Sequence, residues 1–106
     1  MGRNEIKIDA SARAFIKKVK NEFRPSKIIF FGSRANGEFR EYSDYDFIIV
    51  SDSFLDVHWL DRISKILRHW DSDRNIDVLP YTTDEFAHKK SNSSIVKEAV
   101  RKGISV

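Results

Sequence analysis

Lys27-Ile28-Ile29-Phe30-Phe31-Gly32-Ser33 and, one loop later, Ser43-Asp44-Tyr45-Asp46-Phe47-Ile48-Ile49-Val50 decide the reading of this 106-residue chain. Each contains a short β-branched and aromatic run bounded by polar residues, the pattern of a buried strand. The first run breaks at a glycine–serine pair. The second is entered through two aspartates one residue apart. A stable fold gives no reason to place acids at the mouth of a buried strand, whereas phosphate and metal chemistry does. The residues between Gly32 and Ser43 are polar, include Gly37, Arg34 and Arg40, and predict a loop.

Working outward, Asp9 to Phe23 reads as a helix. Phe15, Ile16, Val19 and Phe23 share one face, Asp9 or Ser11 is placed to cap it, and Pro25 stops it. After the second strand, Val57, Leu60, Ile63, Leu67 and Trp70 recur every three or four residues and predict a helix from Phe54 to Trp70. Trp59 lies off that stripe and is expected to be exposed. Asp71 to Asn75 reads as a turn. Ile76-Asp77-Val78-Leu79 reads as a third strand, stopped by Pro80. Thr82 and Glu85 match a capping box. A last helix is expected from Ser93 to Lys102, with Ile95, Val96, Ala99 and Val100 inward and Gly103 past its end. The order of elements predicts one α/β (α+β) domain over residues 1–106.

Composition is that of an ordinary folded protein, 41% hydrophobic and 33% charged, which argues against global disorder. The apolar runs are too short to span a bilayer. Met1 to Ile8 lacks the apolar core of a signal peptide, so a cytoplasmic setting is the expectation. With no cysteine, disulfides, thiolate metal sites and cysteine nucleophiles are excluded. A net charge of +3 suits an anionic ligand but is too small to argue for nucleic-acid binding.

The acids carry the chemistry. Residues i and i+2 of a strand point to one face, roughly 6.6 Å apart, so Asp44 and Asp46 can converge on ions between them. Asp77 is flanked by Ile76 and Val78, and a carboxylate in so apolar a setting needs a partner. Clustered ionised acids raise one another's pKa, and divalent cations remove the conflict. Hard oxygen ligands select Mg²⁺, with Mn²⁺ the alternative. A pair of such ions can clamp the attacking and leaving oxygens of a phosphoryl displacement. Gly32 lets backbone approach a phosphate, Ser33 adds a hydroxyl, and Arg34 and Arg40 could neutralise phosphate charge. Each feature alone is commonplace, a turn or a solvated strand end; the combination is what points to chemistry. No Walker A loop is present, and Asp71 to Thr82 fails as an EF-hand, with Ile76 where glycine is required and Thr82 where glutamate is.

Gly32-Ser33-x-Ala35-x-Gly37, then Ser43-Asp44-x-Asp46, then Asp77 resembles the minimal nucleotidyltransferase family of the DNA polymerase β superfamily, over nearly the whole chain. The resemblance implies a small mixed sheet of three to four strands with helices on one side. It implies transfer of a nucleoside monophosphate from ATP or another NTP to an acceptor hydroxyl, with Asp44, Asp46 and Asp77 as catalytic metal ligands for two Mg²⁺ ions and Gly32 and Ser33 gripping the triphosphate. It further implies a HEPN-domain partner, since such proteins are often encoded beside a HEPN RNase toxin as its antitoxin, and some adenylylate a tyrosine on it. No additional acceptor-selecting domain is evident, so the acceptor would come from a partner protein or a second subunit. The alternative is a non-catalytic binding module that neutralises its partner by complex formation.

Overall fold

A computed structural model describes residues 8–35 and 44–106. Gly37, Arg40 and Ser43 lie outside the described residues. The first helix, α1 (Ala10–Phe23), begins where the Asp9 carboxylate accepts the Ala12 amide hydrogen at 2.9 Å. It ends at Arg24, whose φ of 46° is left-handed and whose amide donates back to the Lys20 carbonyl. Pro25 then prevents continuation.

Strand β1 (Lys27–Phe31) pairs antiparallel with β2 (Tyr45–Val50), from Lys27 opposite Val50 to Phe31 opposite Asp46. A short 3-10 turn and α2 (Trp59–Leu67) carry the chain over to β3 (Ile76–Tyr81), which runs parallel to β2. Two further helices follow, α3 (Thr83–Asn92) and α4 (Ser94–Lys102), and then β4 (Ile104–Ser105), antiparallel to β1. The sheet order is β3-β2-β1-β4. The mixed α/β class and the four-stranded sheet are as the sequence predicts.

Side chains alternate across the sheet. Ile28, Phe30, Tyr45, Phe47, Ile49 and Val78 pack with Phe15, Val19 and Phe23 of α1 and Ile66 of α2. On the other face, Ile29, Ile48, Val50 and Tyr81 meet Phe86 of α3 and Val96 and Ala99 of α4. The helices expected on one side are thus α1 and α2, and the α3–α4 pair adds cover on the opposite side. The reason is legible in β1 and β2: a strand apolar at nearly every position needs both faces shielded from water.

Four local expectations are corrected. First, α2 is shorter than the apolar repeat suggested: Ile63 and, beyond its end, Trp70 pack half-buried against the core as expected, but the fully buried residues are Arg62 and Ile66, and Leu60 is 65% exposed. Arg62 can be buried because its guanidinium meets Glu85 at 2.6 Å and the carbonyls of Val57 and Pro80 at 2.8 and 3.1 Å. Trp59 is half-buried and packs on Tyr81, with ring centroids 5.4 Å apart. Second, β3 runs through Pro80 to Tyr81, which an edge strand tolerates because one side of its backbone needs no partner. Third, the capping box opens a helix of its own: Thr82 accepts the Glu85 amide hydrogen, and the Glu85 carboxylate accepts that of Thr82. Fourth, α4 buries Val96 and Ala99 while Ile95 and Val100 stay exposed. Among the described residues, no helix is long and apolar enough to cross a membrane.

Candidate active site

Phe31, Asp46 and Asp77 lie in one row across β1, β2 and β3. Aligned residues of neighbouring strands point to the same face, with strands about 4.8 Å apart. The Asp46 and Asp77 side chains therefore emerge side by side on the α3–α4 face, at the end of the sheet where β1 finishes and β2 and β3 begin. Asp44, two residues before Asp46, is half-buried at the same end.

Asp46 bears the electrostatic load. Its carboxyl is pushed up to about 6, first by burial and then by the negative charges of Asp77 and Asp44. Asp77 itself is exposed. The expectation that its apolar neighbours would desolvate it is corrected: on an edge strand, Ile76 and Val78 turn to the α1–α2 face while Asp77 turns to water on the other. Among the described residues, no three histidine, cysteine, aspartate or glutamate side chains form a ready metal-ligating group.

Gly32 is fixed by its surroundings. Its φ of +85° is a conformation that side-chain-bearing residues avoid, and a Cβ there would fall 2.2 Å from Oδ2 of Asp46. Only glycine lets the turn after β1 press against the carboxylate. The Ala35 amide donates to the Gly32 carbonyl at 3.1 Å and closes the turn, with Ser33 at its tip. A cavity of about 450 Å³ opens beside it, lined by Phe31, Gly32 and Ser33 on one side and by Ser94, Ile95, Glu98, Ala99 and Lys102 of α4 on the other.

Arg34, expected among the phosphate ligands, is placed elsewhere. It is buried, with its guanidinium 4.3 Å from the Tyr45 ring centre and Nη1 donating to the Tyr45 hydroxyl at 3.3 Å. Tyr45 belongs to the α1–α2 face, so Arg34 anchors the turn from the side opposite Asp46. Arg40 lies outside the described residues. The α4 wall was missed by sequence reasoning. Ser94, Glu98 and Lys102 do recur at four-residue steps, but such a polar stripe reads as the wet side of a helix until the fold shows what it faces.

The nucleotidyltransferase domain family matches residues 12–102. A Methanocaldococcus jannaschii protein provisionally named protein adenylyltransferase MJ0604 is 31% identical over 90% of this chain and 93% of its own. A Haemophilus influenzae protein named as protein adenylyltransferase MntA is 29% identical over 74% of this chain and 70% of its own. A solved chain provisionally described as a nucleotidyltransferase superposes with a TM-score of 0.62 at 26% identity, covering 92% of this chain and 99% of that one. With a glycine turn, paired strand acids and a neighbouring cavity in one place, and with this match across most of its length, the chain belongs to the nucleotidyltransferase domain family and is an enzyme of that kind.

Proposed function

We propose that the chain transfers AMP from ATP to a hydroxyl of a partner protein, in a reaction dependent on Mg²⁺. The contact of Gly32 with Asp46 carries this reading. It sets a turn able to wrap phosphates directly against a half-buried acid whose charge is opposed by two others.

The donor chemistry of Asp44, Asp46 and Asp77 fits a hard divalent cation, and the raised Asp46 pKa marks negative charge that a cation would offset. Bound Mg²⁺ would neutralise the acids and polarise the phosphoryl oxygens. The remaining work falls to the chain. The Gly32–Ser33 turn holds the triphosphate in line. Asp44 and Asp46 fix the charge at the reacting end. Asp77 would accept the proton of an incoming hydroxyl, a reading supported by its exposure on the edge strand.

The names of the relatives support a protein acceptor, and the resemblance of the motifs supports a HEPN-domain toxin, with this chain as antitoxin. Incubation with labelled ATP, Mg²⁺ and the protein encoded beside it tests the proposal. Label on the partner, lost with Asp44→Ala plus Asp46→Ala, is expected. Equal transfer by that double variant would end the catalytic reading. Full neutralisation of the partner by the triple alanine variant of Asp44, Asp46 and Asp77 would favour a binding-only role.

A further inference from the structure

Among the described residues, the charges nearest this site are mostly carboxylates: Asp44, Asp46 and Asp77 on the strands, and Glu98 on the facing helix. Of the described residues that line the cavity, Lys102 is the one cation. Its position is fixed twice. Just upstream, Ala99 is buried against the sheet. Just downstream, Gly103 admits no side chain, since a Cβ there would fall 2.4 Å from the Ala99 carbonyl oxygen and 2.6 Å from Cγ2 of Ile29. Ile104 then pairs with Phe30. Followed backwards from that pairing, the chain reaches Lys102 as β1 runs forward to Gly32. The backbone under Lys102 is therefore held on the cavity wall across from the Gly32–Ser33 turn.

We propose that Lys102 is the residue that takes nucleotide phosphate charge on the α4 wall of the cavity, and that Glu98 holds its ammonium in place until the nucleotide arrives. The proposal rests on the nucleotidyl-transfer reading above. In the present arrangement the Lys102 ammonium lies 3.0 Å from a Glu98 carboxylate oxygen, and Arg101 donates to the same carboxylate at 3.0 Å. An exposed pair of this kind is weak, so exchange of Glu98 for a phosphate bearing several charges is favourable. Arg101 remains to satisfy Glu98 after the exchange. Ser94, one turn further along the same face of α4 from Glu98, completes a polar stripe along the wall, with Phe31 and Ile95 supplying apolar surface for the rest of the nucleotide.

Binding of ATP and of adenosine, each with Mg²⁺, to the wild-type chain and to Lys102→Met, Lys102→Arg and Glu98→Gln tests this. Lys102→Met should weaken ATP about ten-fold, the scale of one charge-assisted hydrogen bond, and leave adenosine unchanged. Lys102→Arg should restore most of the loss, and Glu98→Gln should tighten ATP by removing the competitor. In turnover, Lys102→Met should raise KM more than it lowers kcat. Unchanged ATP binding by folded Lys102→Met, or equal weakening of ATP and adenosine, would overturn the assignment while leaving nucleotidyl transfer intact. A folded wild-type chain that binds no nucleotide would overturn both.

Discussion

Gly32 presses directly against the Asp46 carboxylate: a single added carbon on Gly32 would sit 2.2 Å from it, at a φ of +85°. Gly32→Ala must push the acid aside and strain the turn together. A loss of about 1–3 kcal/mol of stability is expected from the backbone alone, with transfer activity falling further because the carboxylate moves. Thermal melts of the two single variants and the double variant Gly32→Ala/Asp46→Ala check it. The stability cost of Gly32→Ala should shrink once Asp46 is truncated, and strict additivity would contradict the contact.

Asp46 makes the metal-free protein less stable as it ionises. Its carboxyl titrates near 6 when folded, above the value of about 3.9 for a free aspartate. Between those limits the folded state holds the extra proton, so stability falls as pH rises through the window and levels off above it. Asp46→Asn removes the dependence. The variant should melt higher than wild type at about pH 8 and nearly level with it at about pH 4.5, where the wild-type acid is protonated. Mg²⁺ should raise the wild-type melting temperature at the higher pH and do little for the variant. A variant that melts lower at both pH values would contradict the electrostatic account.

Arg34 should betray itself in stability. Its buried guanidinium stacks on Tyr45, so Arg34→Ala removes packing and a hydrogen bond from the α1–α2 face. A loss of about 1–3 kcal/mol is expected, with ATP affinity measured below the melting range changed far less than by Lys102→Met. A selective loss of ATP binding without a change in melting would return Arg34 to the phosphate ligands.

Arg62 ties α2 to the start of α3. The guanidinium is buried against Glu85 and the Val57 and Pro80 carbonyls, and it holds the Glu85 carboxyl below its usual range, hydrogen bonding from Arg62 being the largest cause. Arg62→Ala should cost about 1–3 kcal/mol, chiefly from the Val57 and Pro80 carbonyls left without their donor, because Glu85 is 44% exposed and water takes over its charge, as read by chemical denaturation. Because the folded pKa of Glu85 is depressed, its contribution is present above the unfolded value and is lost as pH falls through the folded one. Glu85→Gln should therefore flatten the acid limb of the stability profile.

The strands and the acid row were legible because β1 and β2 are apolar at almost every position and the acids interrupt that run. The capping box at Thr82 and Glu85 was legible because its chemistry is local. What escaped was set by distant partners. Arg62 could not be recognised as a core residue without Glu85, so an apolar count along α2 found Ile63 and Trp70 but put Leu60 inward in its place. Pro80 looked like a stop because nothing local says that β3 is an edge strand. Ile104 and Ser105 are too few to show a period. The placements of Arg34 against Tyr45 and of Lys102 on the cavity wall escaped for the same reason: which side of the sheet a loop or helix cation faces depends on how the helices cover it, and no spacing near either residue encodes that.

The site draws on the end of β1, the starts of β2 and β3, and the last turn of α4, and the order in which these leave the ribosome matters. The turn and the acids are synthesised well before the helix that faces them. A nascent chain can thus present its carboxylate row while the opposite wall does not yet exist, and only the closing of α4 and β4 onto β1 completes the cavity. The wall that faces the turn therefore depends on the docking of α4 and β4 onto β1, so the cavity exists only where the sheet has assembled through its β4 edge.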